Sequence, residues 1–259
     1  ADNFAVGQNA LDALTSGNCN IAIGIDALGA ATIAGRSIAI GETAMGGITT
    51  GAANENIAIG KEALKGAAAT TGDRNIAMGT AAMDALTTGN DNIAMGIDAL
   101  GDATTGCFNV ALGYLAMDKA TTVSCNVGIG LHALGDCIVT GTGNIGMGVA
   151  ALRKTTGSTG NIAIGTSAMG ECITSAADYS LAIGHEALRN LTTGNDNVAV
   201  GRSTGTSING ANCTVNIGYN ANQTTSCYGC IRVDVLRSEG GEVTTSDCRS
   251  KCSIADSDL

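Results

Sequence analysis

The sequence predicts an all-β fold, a parallel β-solenoid of about 13 coils, from two observations: a short repeat and a strict alternation of side chains within it. A glycine closes a motif such as Asn-Ile-Ala-Ile-Gly 13 times, at steps of 17, 18 or 19 residues. These anchor glycines are Gly7, Gly24, Gly41, Gly60, Gly79, Gly96, Gly113, Gly130, Gly148, Gly165, Gly184, Gly201 and Gly218. A fixed short period over most of a chain is typical of solenoids.

The three residues before each anchor glycine predict a short strand. Counted from the anchor, positions −3 and −1 are apolar, and position −2 is Ala or Gly in 12 units and Asn216 in the last. Such alternation gives a strand with one bulky and one small face. We expect the bulky face, joined by the Leu or Met at position +4, to form the core; representative core residues are Ile21, Ile23 and Leu28 in one unit and Ile93, Met95 and Leu100 in another.

The small face supports a prediction of self-association. A single coil of 17 residues is thin, and a strip of Ala and Gly along its whole length allows close approach by a second copy. The sequence therefore predicts a homo-oligomer.

Position −4 predicts a column of polar side chains. It is Asn in ten of the 13 units, and Ser37, Ser180 and Thr214 occupy the others. Stacked coils would place these side chains above one another as a hydrogen-bonded ladder. We interpret the ladder as structural and not as a row of ligand-binding amides.

Composition excludes several classes of partner. The net charge is −10, which argues against nucleic acid and anionic membrane surfaces. Apolar stretches are far shorter than the roughly 20 residues of a membrane helix, so no membrane insertion is expected. The sequence contains no cofactor motif of the Walker type, and we expect no cofactor and no enzymatic activity apart from the self-cleavage considered below.

The repeat resembles that of known fibre proteins. The stretches "SIAIGETAMG", "NIAIGKEALKG" and "NVAVGRSTG" are similar to the head repeats of trimeric autotransporter adhesins and to longer repeats in phage and large-DNA-virus fibres. The resemblance implies a left-handed β-roll, intertwined or packed as a homotrimer. It covers residues 1–222, which we assign to the repeat domain; residues 223–259 are a Cys-rich C-terminal segment. Because the chain begins in mid-repeat, we expect it to be part of a longer polypeptide.

The end of the chain resembles the start of the intramolecular chaperone domain of viral fibres and tailspikes. That domain begins with Ser-Asp-x-Arg-x-Lys, matched by Ser246, Asp247, Arg249 and Lys251. The resemblance implies self-cleavage before Ser246 by a Ser246–Lys251 pair, in which burial lets the Lys act as base. Ser250 departs from the usual Leu, and most of the domain is missing after Leu259, so an incomplete or vestigial activity is expected.

Other residues are candidates for modification or cross-linking. Asn190, Asn212 and Asn222 begin Asn-x-Thr glycosylation motifs. A last group of cysteines has the spacing of disulfide partners or, less favoured, of zinc ligands: Cys227, Cys230, Cys248 and Cys252. Cys107 and Cys125 occupy nearly equivalent places in successive coils. An inter-coil disulfide and two free thiols are the two alternatives for this pair.

Together these features predict a structural fibre or spike protein at the virion surface or another extracellular location. Its expected partners are copies of itself, capsid or tail proteins, and a host-surface receptor or glycan. One alternative is the head of a bacterial trimeric autotransporter adhesin. A second is a self-processing fibre precursor that uses the Ser–Lys pair.

Overall fold

The computed structural model describes residues 2–49, 53–66, 70–136, 141–154, 156–171, 177–208, 210–222, 231–233, 237–238 and 241–242. Fourteen strands of three residues form one parallel sheet in chain order, and no helix occurs in these ranges. The strands are β1 Phe4–Val6, β2 Ile21–Ile23, β3 Ile38–Ile40, β4 Ile57–Ile59, β5 Ile76–Met78, β6 Ile93–Met95, β7 Val110–Leu112, β8 Val127–Ile129, β9 Ile145–Met147, β10 Ile162–Ile164, β11 Leu181–Ile183, β12 Val198–Val200, β13 Val215–Ile217 and β14 Ile231–Val233. Two further strands, β15 Arg237–Ser238 and β16 Gly241–Glu242, pair antiparallel.

Each strand pairs in register with the strand of the next repeat, so every repeat position forms a column along the rod. Ile21 pairs with Ile38, and Ala22 pairs with Ala39. We number the coils 1 to 13 by their anchor glycines, so that β1 to β13 belong to coils 1 to 13. At about 4.8 Å per coil the rod is about 60 Å long. The predicted parallel β-solenoid is confirmed.

The assignment of the two strand faces is wrong for positions −3 and −1. Ala22 and Ala94 are fully buried, whereas Ile21 is 37% exposed and Met95 is 40% exposed. Ile23 and Ile93 are half-buried on the same outward face. The small face of each strand therefore points into the coil, and the strip of Ala and Gly is not a surface that a second copy can reach.

The interior explains this inversion. Leu28 and Leu100, at position +4, are buried as predicted. Most coils bury one Leu or Met at position +4, together with the Ala side chains at −2 and +3, between the strand and the returning chain, and some coils add a second large side chain at +7, such as Ile48 and Leu86. An interior of this width has no room for two more branched side chains, because protein cores are already close-packed.

The segment after each strand alternates its backbone conformation. In coil 2, Asp26 and Leu28 have φ of 55° and 49°, and the equivalent residues repeat this in most coils. The left-handed residues direct their N–H groups along the rod in opposite directions: Asp26 N donates to Gln8 O at 2.9 Å, and Leu28 N donates to Ala44 O at 2.9 Å. These hydrogen bonds to both neighbouring coils offset a conformational cost of roughly 1 kcal/mol per left-handed residue.

The anchor glycine is required by two independent features. Gly96 has φ of 141°, a backbone conformation that residues other than Gly rarely adopt. A Cβ atom at Gly96 would also lie 2.4 Å from the carbonyl oxygen of Gly113 in the next coil. Every anchor therefore allows the coils to approach closely where the strand ends.

Candidate interaction surface

The outward face of the parallel sheet is apolar along the whole rod. We call the columns at positions −3 and −1 the outer face; they carry only aliphatic, Met and Phe side chains from coil 1 to coil 13. Representative exposed members are Val6, Met95, Met147, Ile164 and Ile217. Large contiguous apolar surfaces of this kind are characteristic of interfaces with other molecules.

The apolar surface is widest in the middle of the rod. Position +1, which borders the outer face, carries Ile97, Tyr114, Leu131 and Val149 in coils 6 to 9, each between 42% and 49% exposed. Tyr114 packs edge-on against His132, with ring centroids 6.1 Å apart. Four successive coils thus present three adjacent apolar columns.

Beneath the outer face runs the predicted asparagine ladder, and the structure confirms it. Asn92 is buried; its Oδ1 accepts hydrogen bonds from Asn109 N and Asn109 Nδ2, both at 3.0 Å. Its own Nδ2 donates to Asn75 Oδ1 at 3.0 Å and to Gly106 O at 2.8 Å. The amides are fully engaged in holding coils together, which supports the structural interpretation over ligand binding.

A second ladder, at position −6, was missed from the sequence. Here the backbone donates in the opposite direction along the rod: Asn54 N donates to Asp73 Oδ1 at 2.7 Å, and Asp73 N donates to Asn90 Oδ1 at 2.8 Å. The same position holds Cys107, whose Sγ accepts from Asn90 N at 3.3 Å. The sequence does show small polar residues at position −6 in most coils. Because the residue type varies among Asn, Asp, Cys, Ser and Thr, the side-chain acceptor that they share was not recognised.

Exposed charges flank the outer face on both sides. On the −5 side, Arg36 pairs with Glu55 at 2.7 Å. On the +1 side, Lys61 pairs with Glu42 at 3.3 Å. Ion pairs this exposed contribute little to the stability of one chain. Their arrangement therefore matters more for a molecule that binds the outer face.

Arg74 and Asp91 form a further pair on the −5 side. Arg74 Nε lies 2.7 Å from Asp91 Oδ1, and Arg74 Nη2 lies 3.0 Å from Asp91 Oδ2. The hydrogen bond from Arg74 holds the pKa of the Asp91 carboxyl below its ordinary value. This geometry is a two-point contact between adjacent coils.

Two carboxyl groups on the turns have the opposite perturbation. Burial raises the pKa of Asp84, and the carboxylates of Asp98 and Asp102 act in the same direction. Burial also raises the pKa of Asp118.

In the described ranges, no group of three or more His, Cys, Asp or Glu residues could hold a metal ion.

Among the predicted glycosylation acceptors, the structure distinguishes Asn190. Asn190 is exposed and donates one hydrogen bond, to Thr206 O at 3.1 Å. Asn212 is half-buried, and its Oδ1 accepts from Asn195 N at 2.7 Å. Asn222 is also half-buried, and its Oδ1 accepts from Thr206 N at 2.6 Å.

The remaining site predictions concern the cysteines and the tail. Cys19, Cys107, Cys125 and Cys213 are free thiols, so the inter-coil disulfide between Cys107 and Cys125 is not formed. The candidate residues of the tail lie outside the described residues: Cys227, Cys230, Ser246, Cys248, Lys251 and Cys252.

The fold places the chain in the class of parallel β-solenoid repeat proteins. Comparison with protein-family models, with curated proteins and with solved structures found no match. Within the part of the chain that the structure describes, no helix has the length and apolar character needed to cross a membrane.

Proposed function

We propose that the chain is a structural rod of a fibre or spike on a virus particle, assembled as a homotrimer through its outer face and used in attachment to a host surface. The observation that carries the self-assembly is the apolar outer face, which continues along all 13 coils of the repeat. The threefold order and the viral setting are supported by the resemblance of the repeats and of the tail to fibre proteins.

The energetics favour association. Thirteen strands with two outward positions each give 26 apolar side chains, most of them half-buried in the single chain. Complete burial of such a side chain is worth roughly 1.5–3 kcal/mol, so covering the remaining exposed third gains about 0.5–1 kcal/mol each. The gross gain, about 13–26 kcal/mol per chain if all of these side chains are covered, is comparable to or larger than the roughly 4–15 kcal/mol cost of association.

The mass of the assembly in solution tests this proposal. Sedimentation equilibrium should give three times the chain mass of 25.5 kDa, and Met95→Glu combined with Met147→Glu should shift the protein toward single chains. Thr88→Glu is the matched control, since Thr88 is exposed at position −8, away from the outer face. A wild-type protein that sediments as one chain at about micromolar concentration contradicts the proposed assembly.

The viral setting has a separate test. Antibodies raised against the chain should label projections on purified particles in electron microscopy. Labelling confined to secreted bacterial surface appendages would instead favour the adhesin head.

A further inference from the structure

Charged residues at positions −5 and +1 of some coils border the outer face, as the flanking positions of a coiled coil border its apolar seam. The outward positions across the sheet are, in order, −5, −3, −1 and +1. Positions −3 and −1 are apolar, whereas −5 and +1 carry most of the charge on this side of the rod. In coiled coils, flanking charges decide orientation and register rather than overall affinity.

The signs at these two positions are opposite in every coil that is charged at both. The three pairs are Arg36 with Glu42 in coil 3, Glu55 with Lys61 in coil 4, and Asp196 with Arg202 in coil 12. All six side chains are exposed. Coil 7 carries an aromatic residue at both positions, Phe108 at −5 and Tyr114 at +1.

Symmetry gives this pattern a consequence. When copies are related by a rotation axis parallel to the rod, equal coils lie at equal height, and the −5 edge of one copy meets the +1 edge of the next. Arg36 then faces Glu42 of the next copy, and Glu55 faces Lys61 of that copy. Arg74 and Asp91, which have uncharged residues at +1 of their coils, pair with each other within the chain instead.

We propose that these six charges form a register code, which selects a second copy of this chain lying parallel and in register. The inference rests on the self-association proposed above and adds its orientation and alignment. A slip of one coil sets Arg36 against Lys61 on one edge and Glu42 against Glu55 on the other, so both edges become repulsive.

An antiparallel copy fits the pattern less well. It sets each column against itself, so Glu55 and Lys61, which stand in different columns, never meet. No single antiparallel alignment pairs all six charges, whereas the parallel, in-register arrangement pairs all of them.

Charge exchange at coil 4 tests the code by sedimentation equilibrium at low salt. Glu55→Lys and Lys61→Glu should each weaken association about tenfold, because two edges change from attraction to repulsion. The double variant Glu55→Lys/Lys61→Glu should return to within about threefold of the wild type, since each edge is again paired. The differences should shrink at about 1 M salt, where screening is nearly complete.

The double variant separates contacts between copies from contacts within one chain. Within the chain, Glu55 pairs with Arg36 and Lys61 pairs with Glu42. The double variant breaks both of these pairs, so charges that act only inside the chain predict additive loss and no rescue. Thermal unfolding of each variant reports that in-chain loss independently.

A variant on the turn provides the control. Glu62→Lys changes a charge that pairs with Lys65 at 3.6 Å, away from the outer face, and should leave association unchanged. An oligomeric wild type whose double variant associates no more tightly than the single variants overturns the register code alone. A wild type that remains a single chain overturns both the code and the proposed assembly.

Discussion

Replacement of one ladder asparagine should cost the rod more than replacement of an exposed residue beside it. In Asn92→Ala, Asn109 N loses the acceptor that lies 3.0 Å away, and Gly106 O loses the Nδ2 donor at 2.8 Å. Asn109 Nδ2 keeps its bond to Val123 O at 2.7 Å. Two buried backbone groups are therefore left without these partners, at about 1–3 kcal/mol each, and the expected loss is about 2–6 kcal/mol.

The chain itself supplies a graded variant for the same position. Ser37 occupies position −4 in coil 3, and its Oγ accepts from Asn56 N at 3.3 Å. Ser180 does the same in coil 11, where Asn197 N donates at 3.2 Å. Asn92→Ser should therefore retain an acceptor for Asn109 N and lose only about 1–2 kcal/mol.

The assay must resolve local as well as global unfolding, because solenoids unfold by groups of coils. Urea unfolding gives the overall loss. Hydrogen exchange should show faster exchange of the Asn109 amide, while amides of coil 2 and coil 12 are unaffected. Thr88→Ala, at an exposed position, is the control and should change stability by less than about 0.5 kcal/mol. Equal losses for the Ala and Ser variants, or a loss below about 1 kcal/mol for Ala, would refute the reasoning.

Four further predictions concern single positions. Gly96→Ala should lower the free energy of unfolding by about 3–6 kcal/mol, because it combines a conformation that favours Gly with a backbone clash in the next coil. At Gly143 an added Cβ would lie no closer than 3.9 Å to its neighbours, so Gly143→Ala should lower it by only about 1 kcal/mol. Comparable urea midpoints for the two variants would contradict this. Because the pKa of Asp84 is raised, the folded state binds its proton more tightly than the unfolded state does. This favours folding fully below the ordinary aspartate pKa, and the benefit is lost as pH rises. Asp84→Asn should therefore raise the thermal midpoint near about pH 7 and leave it unchanged near about pH 3. Asp91→Asn should do the reverse, lowering the midpoint near about pH 7, because the pKa of Asp91 is lowered and its contribution is lost as pH falls. Expression through a eukaryotic secretory pathway should attach a glycan to Asn190, seen as a mass shift that glycosidase removes and Asn190→Gln abolishes, while Asn212→Gln leaves the mass shift in place.

Much of the fold follows from the repeat. In-register stacking places equal residues above one another, so the period alone located strands β1 to β13 and the ladder at position −4. The burial of Leu28 and Leu100 was also predictable, because a Leu or Met recurs at +4 in an otherwise small-residue turn. The second ladder escaped prediction because its members share an acceptor atom and not a residue type.

The sequence by itself determined the coil: its length, its strand, its anchor glycine and its polar column. Only the tertiary structure decided which strand face points inward, since both faces are apolar and alternation alone distinguishes them by size but not by direction. The returning chain with its Leu or Met at +4 leaves an interior that accepts Ala22 and excludes Ile21 and Ile23. That choice moved the aliphatic columns to the surface and placed the charged residues at −5 and +1, such as Arg36 and Glu42, on either side of them.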